Sequence, residues 1–240
     1  MGMFSEGGVT YSAGIDLHAS NNPFVELLKM VGNGKRVLEV GPGSGHVTKQ
    51  LTQQGCTVTC IEKDKTMAEM AKNFCAHMIV GDIESDTIGR QFSTEQFDVV
   101  TFGDVLEHLR DPVEVLTKVK PLIVPTGYLV ACIPNVAHRS LRLSLLFGEF
   151  DYGDMGLLDR THLRFFTIRT IEKMMNESGF KIVEMVRIRD ASLMDTVLRR
   201  TASWSRRALL EIVKVVFRGL IRGEALTYQF VIKAIPIQTN

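Results

Sequence analysis

Short apolar runs that are typical of buried strands alternate with helical segments along the first 135 residues. The runs at 36–41, 57–62, 77–80, 97–102 and 128–133 are predicted strands, and the intervening helices are expected at 47–54, 66–73 and 112–124. Strands joined by crossover helices pair in parallel, and the helices then cover both faces of the sheet. The alternation therefore predicts an α/β fold with a doubly wound, mostly parallel sheet.

Segments on either side of this region complete the expected fold. A helix is predicted at 20–31 with Ser20 or Asn21 as its N-cap, another at 168–178, and two more strands at 180–188 and 227–235. The connection at 135–166 is too long for a plain loop and should contain a short helix or a function. We expect seven strands in three units: an N-terminal cap segment at 1–35, a core at 36–190 and 226–236, and a basic amphipathic helical insertion at 193–223.

Composition excludes several classes of protein. A hydrophobic fraction of 45% excludes a disordered chain, and a net charge of +1 argues against a surface that binds nucleic acid all over. The sequence shows neither a signal peptide nor an apolar stretch of about 18 residues. The cysteines have no zinc-ligand spacing and are expected to be reduced thiols, which suits a cytoplasmic protein.

A glycine-rich turn is the strongest chemical signal. It reads Glu39-Val-Gly41-Pro-Gly43-Ser-Gly45 and lies between a predicted strand and a predicted helix. Glycines at such a turn let backbone N–H groups and a helix N-terminus approach a ligand closely. The G-x-G-x-x-G fingerprint of dinucleotide binding does not fit, because His46 and Thr48 stand where a third glycine is needed.

The pattern E-x-G-x-G-x-G resembles the first motif of class I S-adenosylmethionine-dependent methyltransferases. The resemblance covers roughly residues 30–190 and continues in order through Ile61-Glu62, Gly81-Asp82-Ile83 and FDVVTFGDVLEHLRDP. It implies a Rossmann-like methyltransferase fold with S-adenosylmethionine as the cofactor. The cofactor-binding residues that it implies are Glu39, Gly41, Gly43, Gly45, Glu62, Lys63, Asp82, Ile83 and Asp104.

The resemblance also implies individual roles. Glu62 would accept hydrogen bonds from the ribose hydroxyls, and Asp82 would take the adenine amino group. The turn from Gly41 to Gly45 would admit the methionine portion. Glu39, beneath the turn, is expected to orient backbone N–H groups rather than to touch substrate.

The acceptor should approach over the edge where the fourth and fifth strands end. If a helical turn begins at Asp104, its side chain shares one face with Glu107 and His108 by i, i+3, i+4 spacing, and His162 arrives from a later segment. These four residues form a candidate set for a divalent metal such as Mg²⁺. The set is similar to those of metal-dependent methyltransferases of small-RNA 3′ ends and of the ubiquinone pathway, except that Asp replaces Glu.

An alternative interpretation assigns Glu107 and His108 to a structural loop, with Asp104 capping a turn and no metal. In either case the catalytic candidates are His162, His108 and Asp104. As a general base, His162 would have its protonated form disfavoured by the flanking Arg160 and Arg164 if their side chains lie close.

Asn135 and His138 also belong to the acceptor side of the fold. His138, with Arg139 and Arg142 nearby, fits either an anion-binding surface or a solvated loop.

The region 134–167 resembles that of bacterial methyltransferases encoded with polysaccharide and glycan assembly enzymes. This resemblance implies methylation of a hydroxyl or amine on a small-molecule or glycan acceptor. The segment 193–222 contains seven basic and two acidic residues, a net of +5, and fits a peripheral membrane contact, a helix packed on the sheet, or a homodimer interface. Two alternatives are a metal-assisted RNA ribose 2′-O-methyltransferase, although RNA is not the expected partner, and a non-catalytic cofactor-binding module.

Overall fold

A computed structural model describes residues 21–85, 96–146, 148–189 and 224–238, and the predicted insertion at 193–223 lies outside them. The described residues form a seven-stranded sheet in the order β3-β2-β1-β4-β5-β7-β6. The strands are β1 Arg36–Val40, β2 Thr57–Glu62, β3 His77–Val80, β4 Phe97–Gly103, β5 Ile123–Pro134, β6 Phe180–Arg189 and β7 Thr227–Pro236. The first five are parallel, and β7 runs antiparallel to both β5 and β6. The predicted doubly wound, mostly parallel sheet is confirmed.

Apolar side chains from alternate residues of the central strands pack on opposite faces of the sheet. Leu38 of β1 and Val100 of β4 belong to one core, whereas Val37 and Val99 belong to the other. Burial on both faces explains why these strands are continuous apolar runs rather than alternating ones.

Six α-helices flank the sheet in the described residues. They are α1 Pro23–Val31, α2 His46–Gln53, α3 Lys65–Ala71, α4 Pro112–Val119, α5 Arg139–Leu146 and α6 Ile168–Glu177. Helices α1 and α2 contribute to one core, and α4 and α6 contribute to the other. Within the described ranges, no helix is both long enough and apolar enough to cross a bilayer.

The first helix begins later than its sequence suggests. Its N-cap is Asn22, whose side chain accepts hydrogen bonds from the N–H groups of Phe24 and Val25. Asn21, one of the two predicted caps, instead adopts a left-handed φ of 65° and accepts a hydrogen bond from the backbone of Arg189 at 2.8 Å. Ser20, the other predicted cap, lies outside the described residues.

The predicted helix at 112–124 is too long. Helix α4 ends at Val119, a 3₁₀ turn follows at Lys120–Leu122, and strand β5 begins at Ile123. Pro121 has no N–H with which to continue the helical hydrogen bonds, so the chain tightens and then extends.

The connection at 135–166 does contain a short helix, α5, as its length predicts. The remaining part, which we call the 148–166 loop, folds back on itself. The N–H of Gly153 donates to the carbonyl of Leu158, and the N–H of Arg160 donates to the carbonyl of Gly153. The loop returns to the edge of the sheet at which strand β4 ends.

Candidate functional site

Three glycines with left-handed φ angles of 67°, 55° and 87° form the turn between β1 and α2: Gly41, Gly43 and Gly45. A Cβ atom on Gly41 would lie 2.7 Å from Val105 Cγ2, and one on Gly45 would lie 2.8 Å from Ala71 Cα. A Cβ on Gly43 would have no atom within 4 Å. Packing therefore requires glycine at the first and third positions, whereas Gly43 faces open space that a ligand can fill. The turn fits the expected cofactor.

Glu62 closes this turn from the end of β2. Its side chain is 8% exposed, and one carboxylate oxygen accepts from the N–H of Gly43 at 3.1 Å. The other oxygen accepts from the N–H of Asp64 at 2.9 Å. A carboxylate has about four acceptor sites, so Glu62 retains capacity for hydroxyl donors while it holds the turn.

Glu39 lies in β1 beneath the turn and is 4% exposed. Its carboxyl accepts hydrogen bonds from the Thr48 side chain and from the Cys60 thiol, the latter at 3.7 Å. Burial raises the pKa of Glu39 to about 7. Both donors are side chains rather than the backbone N–H groups that Glu39 is expected to orient.

The expected adenine-side residues follow the ends of β2 and β3. Lys63 and Asp82 are exposed, and Ile83 packs partly against the core. One Asp82 oxygen accepts from the N–H of Glu84 at 3.0 Å, and the N–H of Gly81 donates to the carbonyl of Glu62. The ends of β2 and β3 are therefore joined, and they place Lys63 and Asp82 beside the glycine turn.

Asp104 follows strand β4 with a left-handed φ of 58°. The side-chain amide of Gln229 in β7 donates a hydrogen bond to its carboxyl, and burial raises the pKa of Asp104 to about 7. The helical turn expected to begin at Asp104 does not form, because the 3₁₀ turn spans only Leu106–His108. The i, i+3, i+4 spacing expected from Asp104 therefore does not apply, although Asp104 and Glu107 remain close enough to interact electrostatically. The partner residue Gln229 was not expected, although a glutamine within an apolar strand was a visible signal.

Glu107 is the most deeply buried acid of this region, with 1% exposure. One carboxyl oxygen, Oε2, has no hydrogen-bond partner among the described residues. Burial, reinforced by the nearby charge of Asp104, raises the pKa of Glu107 well above its usual value. Its backbone carbonyl accepts from the N–H groups of Leu163 and Arg164 at 2.8 and 2.9 Å, which docks the 148–166 loop on this turn.

His108 and His162 meet edge to face, with ring centroids 4.8 Å apart. Nδ1 of His108 lies 3.2 Å from the carbonyl oxygen of Thr161, and Nδ1 of His162 lies 3.3 Å from that of Leu157. Because a carbonyl only accepts, the contact with Leu157 assigns the Nδ1–H tautomer to a neutral His162 ring. Nδ1 of His108 also lies 3.2 Å from Oγ1 of Thr161, which can donate or accept. The metal-ligating atoms of Glu107, His108 and His162 all lie within 4.8 Å of one another.

The pKa of His162 lies below its ordinary value, in the direction that the sequence predicts but for a different reason. Burial is the main cause, and the charge of His108 is the second. The flanking arginines are engaged elsewhere: Arg160 pairs with Asp154 at 2.7 Å, and Arg164 donates to the carbonyl of Arg110.

The other two acceptor-side candidates are buried. Asn135 donates to the carbonyls of Glu224 and Thr227 at 3.1 and 2.7 Å, so its side chain ties β5 to the start of β7. His138 has no solvent exposure and contacts the Tyr228 ring, with centroids 5.5 Å apart. The solvated-loop interpretation of His138 is therefore wrong.

A comparison with protein families matches residues 21–185 to the model described as a methyltransferase domain. Two relatives in sequence are ubiquinone biosynthesis O-methyltransferases. The one from Histophilus somni is 27% identical over 144 residues, covering 56% of this chain and 60% of that protein. The one from Haemophilus ducreyi is 32% identical over 130 residues, covering 49% and 52%. The chain thus spans little more than half the length of these relatives.

Solved structures show the same fold at low sequence identity. A SAM-dependent methyltransferase from Archaeoglobus fulgidus superposes with a TM-score of 0.63 at 16% identity, covering 88% of this chain and 91% of that one. Magnesium protoporphyrin IX methyltransferase from Synechocystis, solved with bound SAH, gives a TM-score of 0.56 at 14% identity, covering 89% and 80%.

Proposed function

Because the chain belongs to the family of methyltransferase domains and is an S-adenosylmethionine-dependent class I enzyme, we propose that it methylates a hydroxyl oxygen of a small molecule. The observation that carries the proposal is the 3.3 Å contact between Nδ1 of His162 and the carbonyl oxygen of Leu157, which leaves Nε2 of the neutral ring as a proton acceptor. The names of the two relatives, which are O-methyltransferases, support oxygen rather than nitrogen as the methylated atom.

The cofactor supplies an electrophilic methyl group on sulfur. The glycine turn would admit its methionine portion at Gly43, where the space is open, and Glu62 and Asp82 would hold its ribose and adenine. In-line displacement depends mainly on position and on exclusion of water. The main task left for the protein's side chains is to orient the acceptor and remove its proton.

His162 would accept the hydroxyl proton at Nε2 as the oxygen forms its bond to the methyl carbon. Its Nδ1–H is directed at the carbonyl of Leu157, which fixes the ring and the tautomer. Asp104 and Glu107 are less suitable bases, because burial favours their protonated forms.

A divalent metal held by Glu107, His108 and His162 is the second candidate arrangement. The buried oxygen of Glu107 without a partner favours it, as do two imidazoles whose Nδ1 atoms both face carbonyls. Such an ion would polarise the acceptor hydroxyl as a Lewis acid. Two nitrogen donors fit Zn²⁺, Mn²⁺ or Fe²⁺ better than Mg²⁺, which prefers oxygen ligands. Asp104 is not part of this arrangement, because the group of ligating atoms within 4.8 Å of one another in the described residues comes from Glu107, His108 and His162.

Calorimetric titration with S-adenosylmethionine, followed by a methyl-transfer assay on a panel of alcohols, phenols and amines, tests the main proposal. Cofactor binding with transfer only to amines would contradict it. Titration with Mn²⁺ and Zn²⁺ tests the metal arrangement. Glu107→Gln should abolish metal binding, and the matched variant Asp104→Asn should retain it. Absence of metal binding to the parent protein would leave His162 as the base.

A glycan acceptor, including a lipid-linked one, stays a prediction that rests on the resemblance of region 134–167. The peripheral membrane contact and the homodimer both depend on the segment 193–222, which lies outside the described residues. Vesicle sedimentation with anionic lipid tests the membrane contact.

A further inference from the structure

A row of aromatic rings extends from His162 along the 148–166 loop. The His162 ring contacts the Phe165 ring, with centroids 6.4 Å apart. Phe165 contacts Phe150 at 6.1 Å and Tyr152 at 6.5 Å, and the last two meet edge to face at 5.6 Å. We call Phe150, Tyr152 and Phe165 the ring surface. It adjoins the proposed base directly.

The ring surface is open to solvent. Phe150 is 41% exposed and Tyr152 is 53% exposed, and two neighbouring side chains of the loop, Met155 and Leu163, are also exposed. A single exposed apolar residue needs no explanation, but mutually contacting exposed rings form a patch, and such patches mark binding sites.

The loop holds this patch in a fixed position relative to the base. The N–H groups of Leu163 and Arg164 both donate to the carbonyl of Glu107. Phe166, next to the ring surface, is buried in the core. Phe165 is therefore held beside His162 by the anchored backbone on both sides of it.

Four charged side chains of the loop already have partners, whereas Glu149 and Asp151 are exposed. Arg160 pairs with Asp154 at 2.7 Å, Arg164 donates to the carbonyl of Arg110, and Asp159 accepts from Thr161 at 2.6 Å. A sugar ring carries hydroxyls all around it, and each one buried without a partner costs free energy. A planar aromatic ring has no such requirement and gains from edge-to-face contacts with aromatic side chains.

We propose that the ring surface is the acceptor subsite and that it binds the aromatic ring of a phenolic acceptor, with the hydroxyl directed at His162. This inference rests on the proposed function and adds the class of acceptor to it. The bond that forms is between the phenolic oxygen and the methyl carbon, the bond that breaks is between that carbon and the cofactor sulfur, and the proton passes to His162.

The fluorescence of 2-naphthol reports its binding to the protein. Measured in the presence of S-adenosylhomocysteine, this binding tests the subsite without turnover. Decahydro-2-naphthol has the same carbon skeleton without aromaticity, and methyl glucoside represents a sugar. We expect 2-naphthol to bind about tenfold more tightly than either. Equal affinities, or tighter binding of the glucoside, would overturn the proposal.

Variants assign the binding to the ring surface. Tyr152→Ala should weaken 2-naphthol binding about tenfold, and Tyr152→Phe should preserve it because the ring remains. Val183→Ala is the matched control, since Val183 is 49% exposed on the distant edge strand β6. An unchanged affinity in Tyr152→Ala would refute the subsite. If binding follows these expectations but no hydroxyl compound of the panel is methylated, the subsite stands and the proposed function fails.

Discussion

The side-chain amide of Gln229 donates a hydrogen bond to the carboxyl of Asp104 across the edge at which the parallel strands end. Strand β5 lies between β4, which Asp104 follows, and β7, which contains Gln229, and the antiparallel direction of β7 brings its first residues to this edge. Asp104 has a left-handed φ, which aspartate tolerates better than most residues. The bond from Gln229 ties its carboxyl to β7 at the point where β4 leads into the Glu107–His108 turn.

Replacing Gln229 with leucine should lower both stability and cofactor affinity. The buried carboxyl of Asp104 would lose its donor, at a cost of about 1–3 kcal/mol in unfolding free energy. Urea denaturation and calorimetry with S-adenosylmethionine measure the two effects. Gln53→Leu, at an exposed position of α2, is the control. If the Gln229 and Gln53 variants behave alike, the bond to Asp104 contributes nothing.

Replacing Gly43 with asparagine should reduce affinity for S-adenosylmethionine at least about tenfold. Asparagine tolerates the left-handed conformation, so its side chain would extend into the open space that the cofactor needs. Gly34→Asn is a close control, because Gly34 has a φ of 66° and equally open surroundings but lies before β1. Normal affinity in the Gly43 variant would place the cofactor elsewhere.

Replacing His162 with alanine should lower kcat by a factor of about 10²–10⁴ and leave cofactor affinity unchanged. The imidazole lies on the acceptor side, whereas the glycine turn and Glu62 form the cofactor side. Methyl-transfer assays measure kcat, and calorimetric titration measures the affinity for the cofactor. His77→Ala, at the opposite end of the sheet in β3, should behave as the parent protein does. A parental rate in His162→Ala would exclude the histidine as base and as ligand.

Protonation of Glu39 should make stability depend on pH. Burial raises its pKa from 4.5 to about 7, so the fold favours the protonated carboxyl. Its contribution is complete below about pH 4.5 and is lost as the pH rises through 7, an expected loss of about 3 kcal/mol. Urea denaturation between pH 4.5 and 8 should therefore give a shallower decline for Glu39→Gln than for the parent. If the curves of Glu39→Gln and the parent protein are parallel, the raised pKa of Glu39 is refuted. Glu149→Gln, at an exposed site, is the control and should give a curve parallel to that of the parent protein.

Replacing Asn135 with alanine should destabilise the fold by about 1–3 kcal/mol, because the carbonyls of Glu224 and Thr227 would lose a buried donor. Asn73→Ala, which removes one exposed bond to Met70, should cost little. Thermal unfolding of both variants makes the comparison. Equal melting temperatures would mean that the start of β7 is held by its strand pairing alone.

Local sequence was sufficient to predict most of the sheet. The strands at 57–62 and 77–80 have the predicted bounds. Burial on both faces gives β2 its apolar run, whereas β3 is a short edge strand that is only partly buried. Strand β5 begins earlier than expected because Ile123 already pairs with Phe97 of β4. The glycine turn could be recognised because its chemistry lies within seven consecutive residues.

The acceptor side could not be predicted to the same depth. Helical spacing suggested that Asp104 joins Glu107, but the left-handed φ of Asp104 directs the chain otherwise. The partner of Asp104 is 125 residues away in the sequence, and the carbonyls that orient His108 and His162 depend on how the 148–166 loop folds back. Contacts of this kind arise from tertiary structure and leave no local pattern.

The carbonyl of Glu107, which accepts from both Leu163 and Arg164, joins two parts of the molecule that can change independently. The glycine turn, Glu62 and Asp82, which form the proposed cofactor side, are encoded before residue 110, and the ring surface is encoded in one excursion, the 148–166 loop, which backbone bonds to Glu107 anchor. Backbone bonds do not depend on side-chain identity, so the excursion can exchange its sequence without disturbing the turn that receives it. Grafting residues 148–166 between relatives is therefore a direct route to exchanging acceptor preference on an unchanged cofactor scaffold.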